Sequence, residues 1–487
     1  MHLPAFLSPP PAPTNSRVIS ETPPGRRLAR RGRLWGALVV AAFLVEARFA
    51  AAQAPAESEK PAEMLGVKVG TGVAEFEADD SMVIAGGIGP GKATGQEGKL
   101  RAVAIVLAKS PGEKLAIVAC DILMIRRQYL DPVMAEIERT TGISITNILV
   151  NCTHTHHAPS AVKLLGVEPD EVFTRRVQQG IIQAVQAANS HLSATDCRFY
   201  FRLGKEKTVG QNSRLMMGDG QIYWIGPRDN AVRATALIDS ELPVLAFRGE
   251  NDRLQALIFN HSTHNIGTRL PGRRSPSIYG LAAQDLETEL GGTVCFLEGA
   301  SGSTHNLELT CDEASRRIEQ AVQTALAQTQ PRNVDKLAAL KQPFKFKVRQ
   351  FDESREENAV ARYCRKYVPE QADKITAVFR SMRQELNAES GEERTTWLQV
   401  MRIGDVAFVG VPGELFTPLG LDIKNRSPFR FTYVAELAND WIGYIPDRES
   451  QKLGGYQCWT GQHSYVEPGT GERIVDQVTR MLRELKK

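Results

Sequence analysis

The chain has 487 residues, 42% of them hydrophobic and 24% charged, with 59 Lys+Arg against 56 Asp+Glu. That balance excludes a disordered, collagen-like or multi-span membrane chain, and the length alone allows roughly two to four domains. The formal net charge is only +3, too small to indicate an anionic partner by itself.

Residues 1–54 hold more than all of that excess. They contain Arg17, Arg26, Arg27, Arg30, Arg31, Arg33 and Arg48 against Glu21 and Glu46, a net of +5 that leaves −2 on the remainder. A basic run from Arg26 to Arg33 precedes an apolar run from Leu34 to Val45, and Ala50-Ala51-Ala52-Gln53-Ala54 offers A-x-A cleavage sites. This order is that of an export signal. The apolar run has 12 residues, fewer than the ~20 needed to span a bilayer. Cleavage near Ala52–Ala54 is therefore expected, with an uncleaved anchor as the alternative and a periplasmic or secreted mature protein as the consequence. Residues 55–63 read as a polar linker and 64–487 as one folded domain.

That domain opens on a strand-like run from Leu65 to Ala74. The segment Ala85 to Gly95 is Gly-rich but irregular, and no GxxxxGK[ST] or strand-borne GxGxxG follows, so nucleotide binding has no support. Arg101–Ala108 and Lys114–Asp121 read as buried strands, Gln128–Thr140 as a helix, Ile148–Cys152 as a strand and Val172–Asn189 as a helix. Strands are expected near 197–203, 242–248 and 254–260. A helix near 278–290 leads into a strand at Thr293–Leu297, and another helix covers about 312–328. Residues 355–390 are polar and read as a helical insertion. The core pattern resumes at Trp397–Arg402 and Val406–Val411, and the last helix runs from about Arg473 to Leu485. Alternating strands and helices predict an α/β fold with a mixed sheet. The seven Cys include no CxxC pair, so they are expected to be mostly buried free thiols with one or two bridges at most. The acidic balance beyond the leader and the lack of a basic stripe argue against nucleic-acid binding.

Six of the nine His fall in three clusters, each after an apolar strand: Cys152-Thr153-His154-Thr155-His156-His157-Ala158-Pro159, Asn260-His261-Ser262-Thr263-His264, and Ser301-Gly302-Ser303-Thr304-His305. Strand ends are where α/β sheets assemble their sites. If strand geometry persists past Cys152, His154 and His156 face the same way and His157 the other. Val411-Pro412-Gly413-Glu414 ends a strand with a carboxylate at its tip. Two His and one carboxylate with an open position are the ligand set of catalytic zinc.

These residues resemble the neutral/alkaline (non-lysosomal) ceramidase family. Cys152-Thr-His-Thr-His-His-Ala-Pro159 is similar to its strand followed by G-T-H-T-H-S-G-P, and Val411-Pro-Gly-Glu414 to its V-P-G-E. Asn439-Asp-Trp-Ile-Gly-Tyr444-Ile with Arg448, Glu449 and Tyr456 resembles its N-x-Y-x-x-Y segment and the acids and tyrosine that follow. Thr293 to Gly302 resembles its strand ending in G-A-x-G-D. The resemblance implies a mixed-sheet zinc-hydrolase domain, with Zn2+ held by His154, His261, Glu414 and Tyr444. It also implies His156 hydrogen-bonded within the site, Tyr456 steadying the oxyanion and Arg214 touching substrate. A counterpart of the family's C-terminal immunoglobulin-like domain is not expected.

The departures shape the expected chemistry. The family's serine, in G-D-V-S-P, is replaced by His305, and His157 and His264 are additional imidazoles. The expected activity is an exported zinc-dependent hydrolysis of an amide (ceramide-like N-acyl) or ester bond. Water is the nucleophile and His305 the general base or acid. A second metal held by the extra His is an open alternative to the base role. A catalytically inactive binding or scaffold protein is the alternative function. The expected partner is a small-molecule or lipid-like acyl substrate, with peripheral membrane contact.

Overall fold

The structure is a computed structural model that describes residues 65–487. The expected export signal and linker lie outside the described residues.

Three mixed sheets share one core. The first runs in the order Lys68–Glu75, Arg101–Ser110, Glu113–Cys120 and Ile148–Cys152. The second runs Thr293–Glu298, Leu254–His261, Glu241–Arg248, Arg198–Lys205 and Gln330–Arg332. The third runs Leu337–Lys347, Glu393–Ile403, Val406–Gly410 and Phe431–Ala435. Side chains alternate along each strand, so each sheet has two faces to bury. One face turns to a shared interior that includes Ile105, Leu149, Phe247, Ile258 and Phe408. The other faces are covered by helices: Glu171–Ser190 on the first, Ser277–Leu290 and Cys311–Leu326 on the second, Thr470–Lys486 on the third. Burial on both faces explains why most of these strands read as near-continuous apolar runs.

Each sheet contains one parallel pair: Glu113–Cys120 with Ile148–Cys152, Leu254–His261 with Thr293–Glu298, and Val406–Gly410 with Phe431–Ala435. A parallel pair needs a crossover connection, and each crossover here contains a helix, Arg127–Thr141, Ser277–Leu290 and Thr417–Arg426 respectively. The carboxyl ends of these six strands are tied together. The Asn260 amide donates to the carbonyls of Leu297 (2.8 Å) and Val434 (2.9 Å), joining the second and third sheets. Asn151 Oδ1 accepts from Glu298 N–H (2.9 Å), and Asn439 Oδ1 from Val150 N–H (3.0 Å). Buried amide side chains thus do the joining where no backbone ladder runs between sheets.

The expected elements appear with ends shifted by a few residues, and others go beyond them, among them the strands Gln330–Arg332, Leu337–Lys347 and Phe431–Ala435 and the helix Thr417–Arg426. The segment 355–390 is a helical pair, Glu353–Tyr367 and Ala372–Asn387, between two adjacent antiparallel strands. All seven Cys are buried and free.

Asp121, directly after Glu113–Cys120, makes one prediction at this level. It accepts from Arg101 N–H (3.2 Å) and Thr153 Oγ1 (3.1 Å). Burial pushes its carboxyl up from 3.8 to about 7 despite the Arg101 charge nearby. A raised carboxyl favours the protonated folded state, so its contribution is fully present below pH 3.8 and is lost as pH rises through about 7. Asp121→Asn should flatten the stability–pH curve across that window, as thermal melts at stepped pH will read.

Candidate metal centre

The strand ends deliver the site. His154 follows Ile148–Cys152, His264 follows Leu254–His261, His305 follows Thr293–Glu298, and Glu414 follows Val406–Gly410. Glu414–Leu415 pairs in parallel with Tyr444–Ile445, which sets Glu414 beside Tyr444. Strand geometry does not persist past Cys152. His154 sits at φ +63°, a left-handed conformation that a non-glycine residue rarely holds and that clusters at functional sites. The turn still brings His154 and His156 together, with Nε2 atoms 3.4 Å apart.

The ligand nitrogens of His154, His156 and His264 all lie within 4.8 Å of one another. Glu414 Oε2 lies 3.5 Å from His154 Nε2 and 3.4 Å from His264 Nε2. Tyr444 Oη lies 3.1 Å from His264 Nε2. His154, His264, Glu414 and Tyr444 are buried, while His156, His305 and Tyr456 are partly exposed. The cluster therefore has a closed floor and an open side.

The hydrogen bonds of the three imidazoles decide what this cluster can hold. Each Nδ1 faces a backbone carbonyl: Leu123 O at 3.1 Å for His154, Gly86 O at 3.2 Å for His156, Ser301 O at 2.9 Å for His264. A carbonyl only accepts, so each Nδ1 must carry the proton. In the neutral ring the Nε2 is then a lone pair. Three lone pairs and a carboxylate converge, which is repulsive unless a cation lies among them. Burial, reinforced for His156 and His264 by neighbouring imidazoles, holds the rings of His156, His264 and His305 below the usual histidine range. The donor set of imidazole nitrogens, a carboxylate and a phenol fits a divalent metal ion such as zinc.

Two glycines keep these groups close. Gly86, at φ +97°, would place a Cβ 2.5 Å from His156 Nδ1. A Cβ at Gly302 would meet the Glu414 carbonyl oxygen at 2.4 Å.

The structure departs from the expected ligand set at His261. Along Leu254–His261, Leu257 and Phe259 face the covering helices whereas Ala256 and Ile258 face the shared interior. His261 has the parity of Leu257 and Phe259 and follows them. Its Nδ1 bonds Tyr279 Oη (2.7 Å) on helix Ser277–Leu290 and its Nε2 meets Glu206 O (3.2 Å). His264, three residues on, occupies the cluster instead.

Arg214, expected to touch substrate, lies behind Tyr456. It is fully buried, and its guanidinium donates to Gln457 Oε1 (3.0 Å), Ser450 O (3.1 Å) and Gly454 O (2.6 Å). It ties down the segment leading to Tyr456. Tyr456 lies between two rings, Trp224 at 4.4 Å and His463 at 4.9 Å, and is edge-on to Tyr444 at 5.9 Å. Trp224 is a site residue that the sequence reading missed, since a lone Trp on an irregular loop carries no spacing signal. Its loop is held by Tyr363 of the helical pair, whose hydroxyl accepts from the N–H of Trp224 (2.8 Å).

His305 stacks on His264 at 3.8 Å, and its buried Nδ1 has no partner in the protein. His157 points elsewhere and accepts from Gly267 N–H (3.2 Å). Neither serine of the loop is free. Ser301 Oγ donates to Glu436 (2.6 Å), and Ser303 Oγ pairs with Thr417 Oγ1 (3.2 Å).

The chain has the neutral ceramidase fold. It is similar to the crystal structure of neutral ceramidase from Pseudomonas aeruginosa, with a TM-score of 0.66 and 18% identity over 86% of this chain and 75% of that one. It is also similar to a ceramidase structure described as complexed with C2, with a TM-score of 0.67 and 17% identity over 87% of this chain and 75% of that one. No protein-family model and no curated protein matches it.

Proposed function

We propose that the protein is an exported, zinc-dependent hydrolase that cleaves the amide bond of a ceramide-like N-acyl substrate or a related ester. The observation that carries this reading is the convergence of three imidazole lone pairs and the Glu414 carboxylate beneath an open side. His154, His264, Glu414 and Tyr444 would hold the ion, with His156 at the rim. Zinc supplies a Lewis acid for the substrate carbonyl and lowers the pKa of water beside it.

The remaining work falls to the chain. Ser301 and Ser303 are both engaged in buried hydrogen bonds, so water rather than a serine is the attacking group. His305, whose ring stacks on His264 and whose Nδ1 has no partner in the protein, takes the proton from the attacking water and returns it to the leaving nitrogen. Tyr456 donates from its phenol to the carbonyl oxygen as negative charge develops there. Burial, and then the Glu414 charge, push its hydroxyl above the usual phenol range, so it keeps its proton at working pH. Trp224, partly exposed, extends an aromatic surface from Tyr456 and is backed by the buried Phe379 and Trp459, an apolar patch suited to an acyl chain. A lipid-like substrate brings peripheral membrane contact with it. Among the described residues no helix is long and apolar enough to cross a membrane.

The test is turnover of N-acyl amides of short and long chain, and of matched esters, with and without a chelator. Chelator-sensitive hydrolysis of the amide, restored by zinc, is the expected result. No chelator-sensitive turnover of any of them would favour a binding protein that keeps the fold.

A further inference from the structure

Glu436 directly follows the strand Phe431–Ala435 and is fully buried. It is not one of the groups that face the converging imidazoles, yet its side chain touches Ser301, which bonds His264, and Leu415, the residue after Glu414. One carboxylate oxygen accepts from Ser301 Oγ (2.6 Å) and the other from the backbone N–H of Leu415 (2.7 Å). Ser301 provides the carbonyl that accepts Nδ1–H of His264, and its hydroxyl lies 3.3 Å from the same Nδ1. Leu415 is the residue after Glu414. The backbone of Glu436 is itself anchored, donating to Glu298 O (3.0 Å) and accepting from the Asn151 side-chain amide.

We propose that Glu436 is a positioning residue of the candidate metal centre: through Ser301 it orients His264 with Nε2 toward the ion, and through the Leu415 amide it sets Glu414. This rests on the reading of the cluster as a metal site. The physical case is that the tautomer and ring angle of a ligating histidine are fixed by what its other nitrogen meets, so a group that holds that contact in place holds the ligand. Without Glu436 the Leu415 amide would lack an acceptor in a region closed to solvent, and the Ser301 hydroxyl would be left to the buried Glu298 carboxyl beside it. Each would have to turn, and each is covalently next to a group that sets a ligand. One residue therefore couples the orientation of His264 to that of Glu414.

The experiment is a Co2+ titration followed by visible absorption, whose d–d bands report ligand geometry, on the wild-type protein, Glu436→Gln and Ser301→Ala. Wild type is expected to bind one Co2+ per chain. Both variants should bind it 10–100-fold more weakly, the usual effect of losing an outer-shell partner, and with shifted bands. Should Glu436→Gln fail to fold, Ser301→Ala, which removes only a hydroxyl, decides the matter. Variants with wild-type affinity and an unshifted spectrum overturn the proposal and leave the metal reading standing. Absence of Co2+ binding by the wild type overturns the metal reading and this proposal with it.

Discussion

His264→Ala is expected to lose metal binding and hydrolysis together, whereas His261→Ala keeps its metal and loses stability instead. The two residues are three apart, and the contrast follows from which face of the second sheet each serves. His264 offers Nε2 to the cluster, 3.4 Å from Glu414 Oε2 and 3.1 Å from Tyr444 Oη. Its removal leaves the floor of the site with one buried imidazole. The loss of affinity should exceed the 10–100-fold that removal of an outer partner causes, and activity should fall to background. His261 instead bonds Tyr279 and the Glu206 carbonyl in the helix layer. Truncating it strands a buried hydroxyl and a carbonyl, a loss of about 1–3 kcal/mol. Metal analysis and thermal melts on the two variants check both halves. A His261→Ala protein that folds but comes without metal would reverse the assignment.

Tyr456→Phe should lower kcat by about 10²–10³-fold with little change in KM, the usual effect of removing one oxyanion donor. The ring is held between Trp224 and His463, so the phenylalanine ring will stay in place and only the donor is lost. Trp224→Ala gives the complementary result, because it frees the Tyr456 ring while leaving the hydroxyl, and kcat should fall by less. A Tyr456→Phe enzyme with unchanged kcat would remove the oxyanion role. Steady-state kinetics on an N-acyl amide read both.

Much of the fold was legible because the burial pattern is simple. Strands buried on both faces, such as Ile148–Cys152, stand out as short apolar runs, and helices such as Glu171–Ser190 show their apolar stripe. The strand Leu337–Lys347 was missed although Phe344 and Phe346 alternate with Lys345 and Lys347. Its half-exposed, Lys-bearing face hid a period of two. The gathering of His154, His156, Glu414, Tyr444 and His305 was legible from strand-end clusters and from the family resemblance. The choice between His261 and His264 was legible in principle, since Leu257, Phe259 and His261 share a parity that leads to the helix layer. Glu436 and Trp224 were not. A buried acid after an apolar strand looks like any strand end, and a stacking Trp depends on a contact 232 residues away, at Tyr456.

The imidazoles and Glu414 are expected to converge on a cation. Equilibrium titration of the chelator-treated protein with Zn2+, read by calorimetry and by metal analysis after dialysis, tests it most directly. One Zn2+ per chain is expected, with release of the ion abolishing hydrolysis and lowering the melting temperature, since an ion that binds only the folded state stabilises it. A folded protein that takes up no Zn2+ or Co2+ would contradict it.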